Sequence, residues 1–248
     1  MKLQLVHPSK TVTPLGQGLL QACEKYPSSD RPLFRAGYGE LCRLNLEGKS
    51  ALEICGGHGE LAYCLARVFP KAKVTGLDLY TPQEPVLKGW LQQCPNLSYV
   101  AGTAFDLSSF EPNSLDLIWG QAALHHLAHS ATDLGREALR VLKPGGRLVF
   151  IFEPLGHNLL VAAIRAMRMS MAEMVDESNL FLSQIEKMGA DFSSCEVQVF
   201  NFLGYPMKAF SDVFAWLNQA VQRLDTIAFN KFPKLLPYGA NCNIIFTK

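Results

Sequence analysis

Ala51-Leu52-Glu53-Ile54-Cys55-Gly56-Gly57-His58-Gly59 decides the fold of this chain. A short apolar run carries one acid, Glu53, and then breaks into glycines. Helical periodicity follows at once, with Leu61, Cys64, Leu65 and Val68 on one face. The order is strand, glycine turn, helix. Glycines let a ligand approach the backbone, and the open N–H groups of the following helix favour negative charge. The next apolar run, Lys73-Val74-Thr75-Gly76-Leu77, ends on a second acid, Asp78.

Working outward, strands are predicted near 50–55, 73–78, 97–102, 115–119 and 147–153, with helices near 59–69, 84–93 and 131–142. This alternation predicts an α/β fold: a doubly wound, Rossmann-like parallel sheet with helices on both faces. Lys143-Pro144-Gly145-Gly146 is a helix stop before the fifth strand. Residues 1–13 read as irregular, and 14–43 as short helices broken at 27–32. After 153 the rhythm changes. A helix is expected over 156–174, with Met167, Met169, Met171 and Met174, and another over 178–189. A strand at 195–199, an amphipathic stretch at 208–228 and a strand at 243–247 follow. With no linker in view, a single domain spanning 1–248 is expected.

The chain has 248 residues, 48% hydrophobic and 18% charged, the composition of a globular protein with a well-buried core. Its net charge of +1 does not favour a nucleic-acid partner, which calls for a basic face. The N-terminal stretch is too short and interrupted for a signal peptide. No apolar run approaches the ~18 residues of a membrane span. A cytoplasmic location is therefore the expectation. The seven cysteines lack CxxC spacing. Cys42, Cys64 and Cys242 sit in apolar patterns and read as reduced core residues, and no metal site is predicted.

Four segments carry chemistry. Gly57-His58-Gly59-Glu60-Leu61-Ala62 fits the dinucleotide pattern, with Asp78 about 20 residues on. Glu53, however, would repel a pyrophosphate and welcome an ammonium, and S-adenosylmethionine has an amino group, a sulfonium and no phosphates. Asp78, at a strand end, suits both hydroxyls of a ribose. Thr103, Ala104, Phe105 and Asp106 follow the third strand, where an adenine edge would be read. In Trp119-Gly120-Gln121-Ala122-Ala123-Leu124-His125-His126, either histidine is a candidate general base; only one of the two is expected to face the cleft.

Together, residues 50–153 resemble class I S-adenosylmethionine-dependent methyltransferases of the type 11 group. The resemblance rests on Leu52-Glu53-Ile54 with its glycine loop, Val74 to Asp78, Leu115-Asp116-Leu117-Ile118 with Ala123 to Leu127, and Glu137-Ala138-Leu139-Arg140-Val141-Leu142-Lys143-Pro144-Gly145-Gly146. It implies a seven-stranded sheet whose last strand is antiparallel, 194–202 and 242–247 supplying the final two. It divides the domain into an N-terminal helical cap (1–43), a cofactor-binding core (44–153) and an acceptor-pocket region (154–248). By position, Glu53, Gly57 and Gly59 hold the methionine part, with Cys55, Gly56 and His58 completing the loop. Asp78 binds ribose, Leu79 packs on the adenosine, Thr103 and Ala104 meet adenine with Phe105 beside them, and Gln121 flanks the methionine portion. Two positions depart from the pattern. Cys55 replaces the loop's first glycine, and Thr103 stands where an acid usually accepts from the adenine amino group.

The expected activity is methyl transfer to a small-molecule acceptor, apolar or aromatic in character, with O-, N- or C-methylation open. His125, His126 and Glu153 are the candidate catalytic groups. Arg35, Tyr38, His125 and Tyr205 are the candidate acceptor contacts. Two alternatives remain at this point: a nicotinamide-dependent oxidoreductase, and a non-catalytic binding subunit that keeps the fold. The oligomeric state is left open.

Overall fold

The strands read from the sequence line up in one sheet in the computed structural model, which describes residues 3–6, 41, 44–80, 85–159, 161–163, 179–202 and 215–248. In chain order they are β1 (Leu3–Val6), β2 (Ser50–Ile54), β3 (Lys73–Asp78), β4 (Leu97–Ala101), β5 (Leu115–Gln121), β6 (Leu142–Pro154), β7 (Ser194–Phe200) and β8 (Asn241–Thr247). The helices are α1 (Glu60–Val68), α2 (Pro85–Gln93), α3 (Leu124–Leu127), α4 (Ala131–Val141), α5 (Leu182–Met188) and α6 (Ala215–Lys231). Short 3₁₀ turns cover Ala128–Ser130 and Pro233–Tyr238.

The strand order is β1-β7-β8-β6-β5-β2-β3-β4. Among the described strands only β8 runs antiparallel, to both β6 and β7. The expected antiparallel last strand is present, and the sheet carries an eighth strand. Residues 3–6, read as irregular, pair in parallel with β7 at the sheet edge, Leu3 opposite Cys195 and Val6 opposite Gln198. Four residues make a strand only when a partner supplies the ladder, and that partner lies at the far end of the chain.

Two apolar layers flank the sheet. Because strand side chains alternate, β2 sends Ala51 to one layer and Leu52 and Ile54 to the other. Leu61, Ala62 and Leu65 of α1 fill the first layer with Val74, Leu117 and Val149. Leu134, Ala138 and Val141 of α4 and Ile185 of α5 fill the second with Ile118, Leu148 and Phe150. Parallel strands buried on both faces account for the unbroken apolar runs.

Cys55, Cys94, Cys195 and Cys242 are free thiols. Cys64, in the first layer, is disulfide-bonded rather than reduced, and its partner lies outside the described residues. Pairing depends on distances in space, which cysteine spacing does not report. Arg35, Tyr38, Tyr205, the short helices expected over 14–43 and most of the methionine-rich segment also lie outside the described residues. Among those described, no helix is long and apolar enough to cross a membrane.

The α4–α5 contact depends on one glycine. A Cβ at Gly135 would come within 2.5 Å of the Met188 carbonyl oxygen. Gly135→Ala is therefore expected to destabilise the protein by ~1–3 kcal/mol, outweighing the gain in helix propensity. A lowered urea midpoint at unchanged slope is the signature; an unchanged or raised midpoint would show that α5 shifts without cost.

Candidate functional site

From β2 the chain builds β3 and β4 on one side, and later β5 and β6 on the other. The carboxyl ends of β2 and β5 therefore form the switch point where open α/β sheets take ligands. Glu53 on β2 and Trp119 on β5 face each other across this seam.

Glu53 is 3% exposed, and its Oε2 accepts the Ala62 N–H of α1 at 3.1 Å. Burial pushes its pKa up to about 8, against the Ala62 bond, which lowers it; Asp78 and Glu60 add to the rise. The buried Trp119 indole N–H also favours the anion, though it lies outside hydrogen-bonding geometry. The chain between Glu53 and α1 must turn tightly. Cys55, Gly57 and Gly59 take left-handed φ values of 53°, 52° and 80°. A Cβ at Gly56 would press on Glu53 Oε2 at 3.1 Å, whereas one at Gly57 would meet nothing within 4 Å. The outer face of the loop is open to a ligand.

Asp78 Oδ2 accepts the Gly57 N–H at 2.8 Å, tying the end of β3 to the loop. Tyr99 on β4 closes over the same loop. Its hydroxyl donates to the Gly57 carbonyl at 2.6 Å, and its ring fills the space a side chain at Gly59 or Gly76 would need. Burial, then the carboxyls of Asp78 and Glu53, raise the Tyr99 pKa, so the hydroxyl stays a donor. The Cys55 thiol is pushed up to about 12, first by burial and then by Asp78, Glu153 and Glu53. It is no nucleophile, and it marks where three carboxyls converge.

The third of these, Glu153, is fully buried at the end of β6. Its Oε1 accepts the N–H groups of Ala123 and Leu124 at 2.7 and 2.9 Å; its Oε2 accepts that of His125 at 3.2 Å and meets His125 Nδ1 at 2.9 Å. One carboxylate thus holds the first turn of α3 and orients the His125 ring. A bulge in the β6–β8 pairing aims it there: Phe152 is left-handed (φ 66°), with its N–H held by Asn243 Oδ1 at 3.0 Å. Of the two histidines, His125 is buried and His126 exposed, and their rings lie against each other, centroids 4.1 Å apart.

On the other flank, Leu79 and Tyr80 are 65% and 80% exposed beside Asp78. Thr103 Oγ1 accepts the Phe105 N–H at 3.3 Å within its own turn, and Asp106 Oδ1 accepts that of Ser108 at 3.0 Å; the Ser108 side chain first, and then this backbone bond, lower the Asp106 pKa. Ala104 is buried, and Phe105 meets His129 edge-on at 5.3 Å. Glu137 and Arg140 of α4 pin this loop: Glu137 Oε2 accepts the Leu107 N–H at 3.1 Å, and Arg140 donates to the Leu107 and Phe110 carbonyls at 2.7 and 3.0 Å. His58 is exposed on the glycine loop, and Gln121 ends β5 at the seam. Sequence reasoning missed Tyr99 and Asn243. The only trace of Tyr99 is a tyrosine one strand over from Gly76, and Asn243 is a polar residue inside an apolar strand.

Residues 52–150 match the family model described as a methyltransferase domain. Over 108 residues, 44% of this chain and 39% of the other, the chain is 39% identical to the phthiotriol/phenolphthiotriol dimycocerosates methyltransferase of Mycobacterium leprae. Over 110 residues, 43% of each chain, it is 36% identical to the demethylmenaquinone methyltransferase of Lactococcus lactis. Each match takes in less than half of the curated relative's length. The structure of a SAM-dependent methyltransferase from Archaeoglobus fulgidus aligns with a TM-score of 0.59 at 14% identity, over 91% of this chain and 97% of that one. The fold is that of the class I S-adenosylmethionine-dependent methyltransferases. The methyltransferase-domain match runs from β2 into β6, the part of the chain that builds the crevice.

Two variants test the loop. Cys55→Gly removes left-handed strain worth ~1–2 kcal/mol against a smaller entropy cost, so a net stabilisation of about 1 kcal/mol is expected in denaturant unfolding. Glu53, with a folded pKa of about 8 against an ordinary 4.5, favours the fold fully below pH 4.5, and this contribution is lost as pH rises through 8. Glu53→Gln should therefore flatten the fall in melting temperature across that window; a variant melting in parallel with the parent would show the carboxyl to be ionised throughout.

Proposed function

We propose that this chain binds S-adenosylmethionine in the β2–β5 crevice and directs its methyl group to a lipophilic small-molecule acceptor rather than a macromolecule. One observation carries the reading: the carboxyls of Glu53, Asp78 and Glu153 lie at the carboxyl ends of β2, β3 and β6, around the open loop. Such a pocket suits an ammonium and a sulfonium and opposes a pyrophosphate, which disfavours the nicotinamide alternative. When bound, the cofactor supplies an electrophilic methyl group on a cationic sulfur. Glu53 gives up its proton and holds the ammonium, with Cys55, Gly56, Gly57, His58 and Gly59 shaping the loop around it. Asp78 takes the ribose, Leu79 the adenosine face, and Thr103, Ala104 and Phe105 the adenine side. Gln121 flanks the methionine portion.

His125 is the proposed base. Glu153 already accepts three backbone N–H groups, so Nδ1–H of His125 donates to it, which makes Nε2 the ring nitrogen that takes a proton from an acceptor hydroxyl. Glu153 is thus a positioning residue, and exposed His126 stands on the acceptor side. Arg35, Tyr38 and Tyr205 are assigned to the acceptor. The lipophilic acceptor is supported by the substrates named for the two relatives, a dimycocerosate and a demethylmenaquinone.

Calorimetric titration should give S-adenosylmethionine binding and no NAD binding, and incubation with quinol or long-chain hydroxyl acceptors should yield S-adenosylhomocysteine. His125→Asn should lower kcat by ~10²–10⁴ with cofactor affinity retained. NAD binding with S-adenosylmethionine silent would establish the oxidoreductase, and neither ligand binding a non-catalytic subunit.

A further inference from the structure

Helix α6 is apolar on two opposite sides. Its inward stripe holds Phe229, 1% exposed and edge-on to Phe202 at 6.1 Å, and Asp225, whose Oδ2 accepts the Phe202 N–H at 2.9 Å. Its outward stripe, at helical spacing, runs Ala220, Leu224, Ile227, Lys231. Leu224 and Ile227 are 55% and 59% exposed. Beyond the helix, Phe232 and Tyr238 are each about half exposed, at the two ends of the 3₁₀ turn that packs back on α6. The Asn158 side chain donates to the Tyr238 carbonyl at 2.8 Å, which brings Leu159, 84% exposed, alongside. A water-facing surface does not ordinarily spend this many large apolar side chains on adjacent segments.

The charges interleaved with them have one sign. Arg223, Lys231 and Lys234 are exposed, and the Lys231 ammonium lies 5.8 Å from the Phe232 ring centroid. The only acid among described residues 215–238, Asp225, is buried beneath the helix. The segment also has a definite place. It leaves the end of β7 and returns to the start of β8, which runs antiparallel, so it sits at the same end of the sheet as the Glu53, Asp78 and Glu153 carboxyls.

We infer that the surface formed by Leu224, Ile227, Phe232 and Tyr238, ringed by Arg223, Lys231 and Lys234, docks this protein on an anionic lipid bilayer with its cofactor crevice at the membrane boundary. Apolar side chains enter the acyl boundary while cations meet lipid phosphates, and the tyrosine suits the headgroup level. A second copy of the chain is a poorer occupant, since a two-fold contact would set the three cations against themselves. The purpose of the surface rests on the lipophilic acceptor proposed above: an acceptor dissolved in a bilayer reaches the crevice without crossing water. The surface itself rests only on exposure and charge.

The test is sedimentation of the full chain with phosphatidylcholine vesicles, with and without phosphatidylglycerol. The chain should pellet with the anionic vesicles and much less with the neutral ones. Lys231→Gln and Lys234→Gln should each weaken anionic binding by about fivefold. Leu224→Ser combined with Ile227→Ser should abolish it while leaving calorimetric affinity for S-adenosylmethionine intact. A chain that stays in the supernatant, variants that bind like the parent, or a dimer that the serine pair turns into monomers by light scattering would each overturn the surface. Vesicle binding without S-adenosylmethionine binding would sustain it and remove the proposed function; the reverse result would do the opposite.

Discussion

Placing the Glu53 carboxyl under the first turn of α1 is the constraint on which the site depends. An acid at the end of a buried strand is costly unless its charge is neutralised or held by donors. Here the Ala62 N–H holds one oxygen, and the remaining cost appears as a pKa near 8. Meeting that N–H brings α1 back over β2 within a few residues. The turn is possible only with left-handed backbone at 55, 57 and 59, and glycine occupies two of those three places. The open loop surface is a by-product of satisfying one buried acid, and a cation bound there would relieve the same acid.

A second buried acid repeats the logic on the far side of the seam. Glu153 satisfies the first turn of α3 as Glu53 does α1, and the bulge at Phe152 brings it into place. Left-handed Ala122 and Phe152 sit where β5 and β6 end together, the Ala122 N–H bonding the Ile151 carbonyl. Local strain of this kind, held by surrounding hydrogen bonds, is characteristic of functional sites. His125 belongs to this second unit.

The run from Glu137 to Gly146 divides several physical tasks among its residues. Glu137 and Arg140 clamp the 103–110 loop. Lys143 pairs with Asp116 at 2.7 Å, the same carboxylate oxygen that caps the start of β2 through Ser50 N–H. Left-handed Gly145 then turns the chain into the long part of β6. Residues remote from any ligand thus place both flanks of the crevice.

The alternating pattern, the glycine loop and the acids at strand ends were legible in the sequence because each is a local property. Hydrophobic period separates strand from helix, and glycine marks where φ turns positive. Tertiary structure alone decided the rest. Strand β1 exists only by pairing with β7, and the Cys64 disulfide only by proximity. Tyr99 guards the loop from two strands away. Glu153 became a clamp on His125 through a bulge, which shifts register by one residue and reverses the side on which a side chain falls. Each of these is a contact between residues distant along the chain, and a distance in space leaves no periodic trace in a sequence.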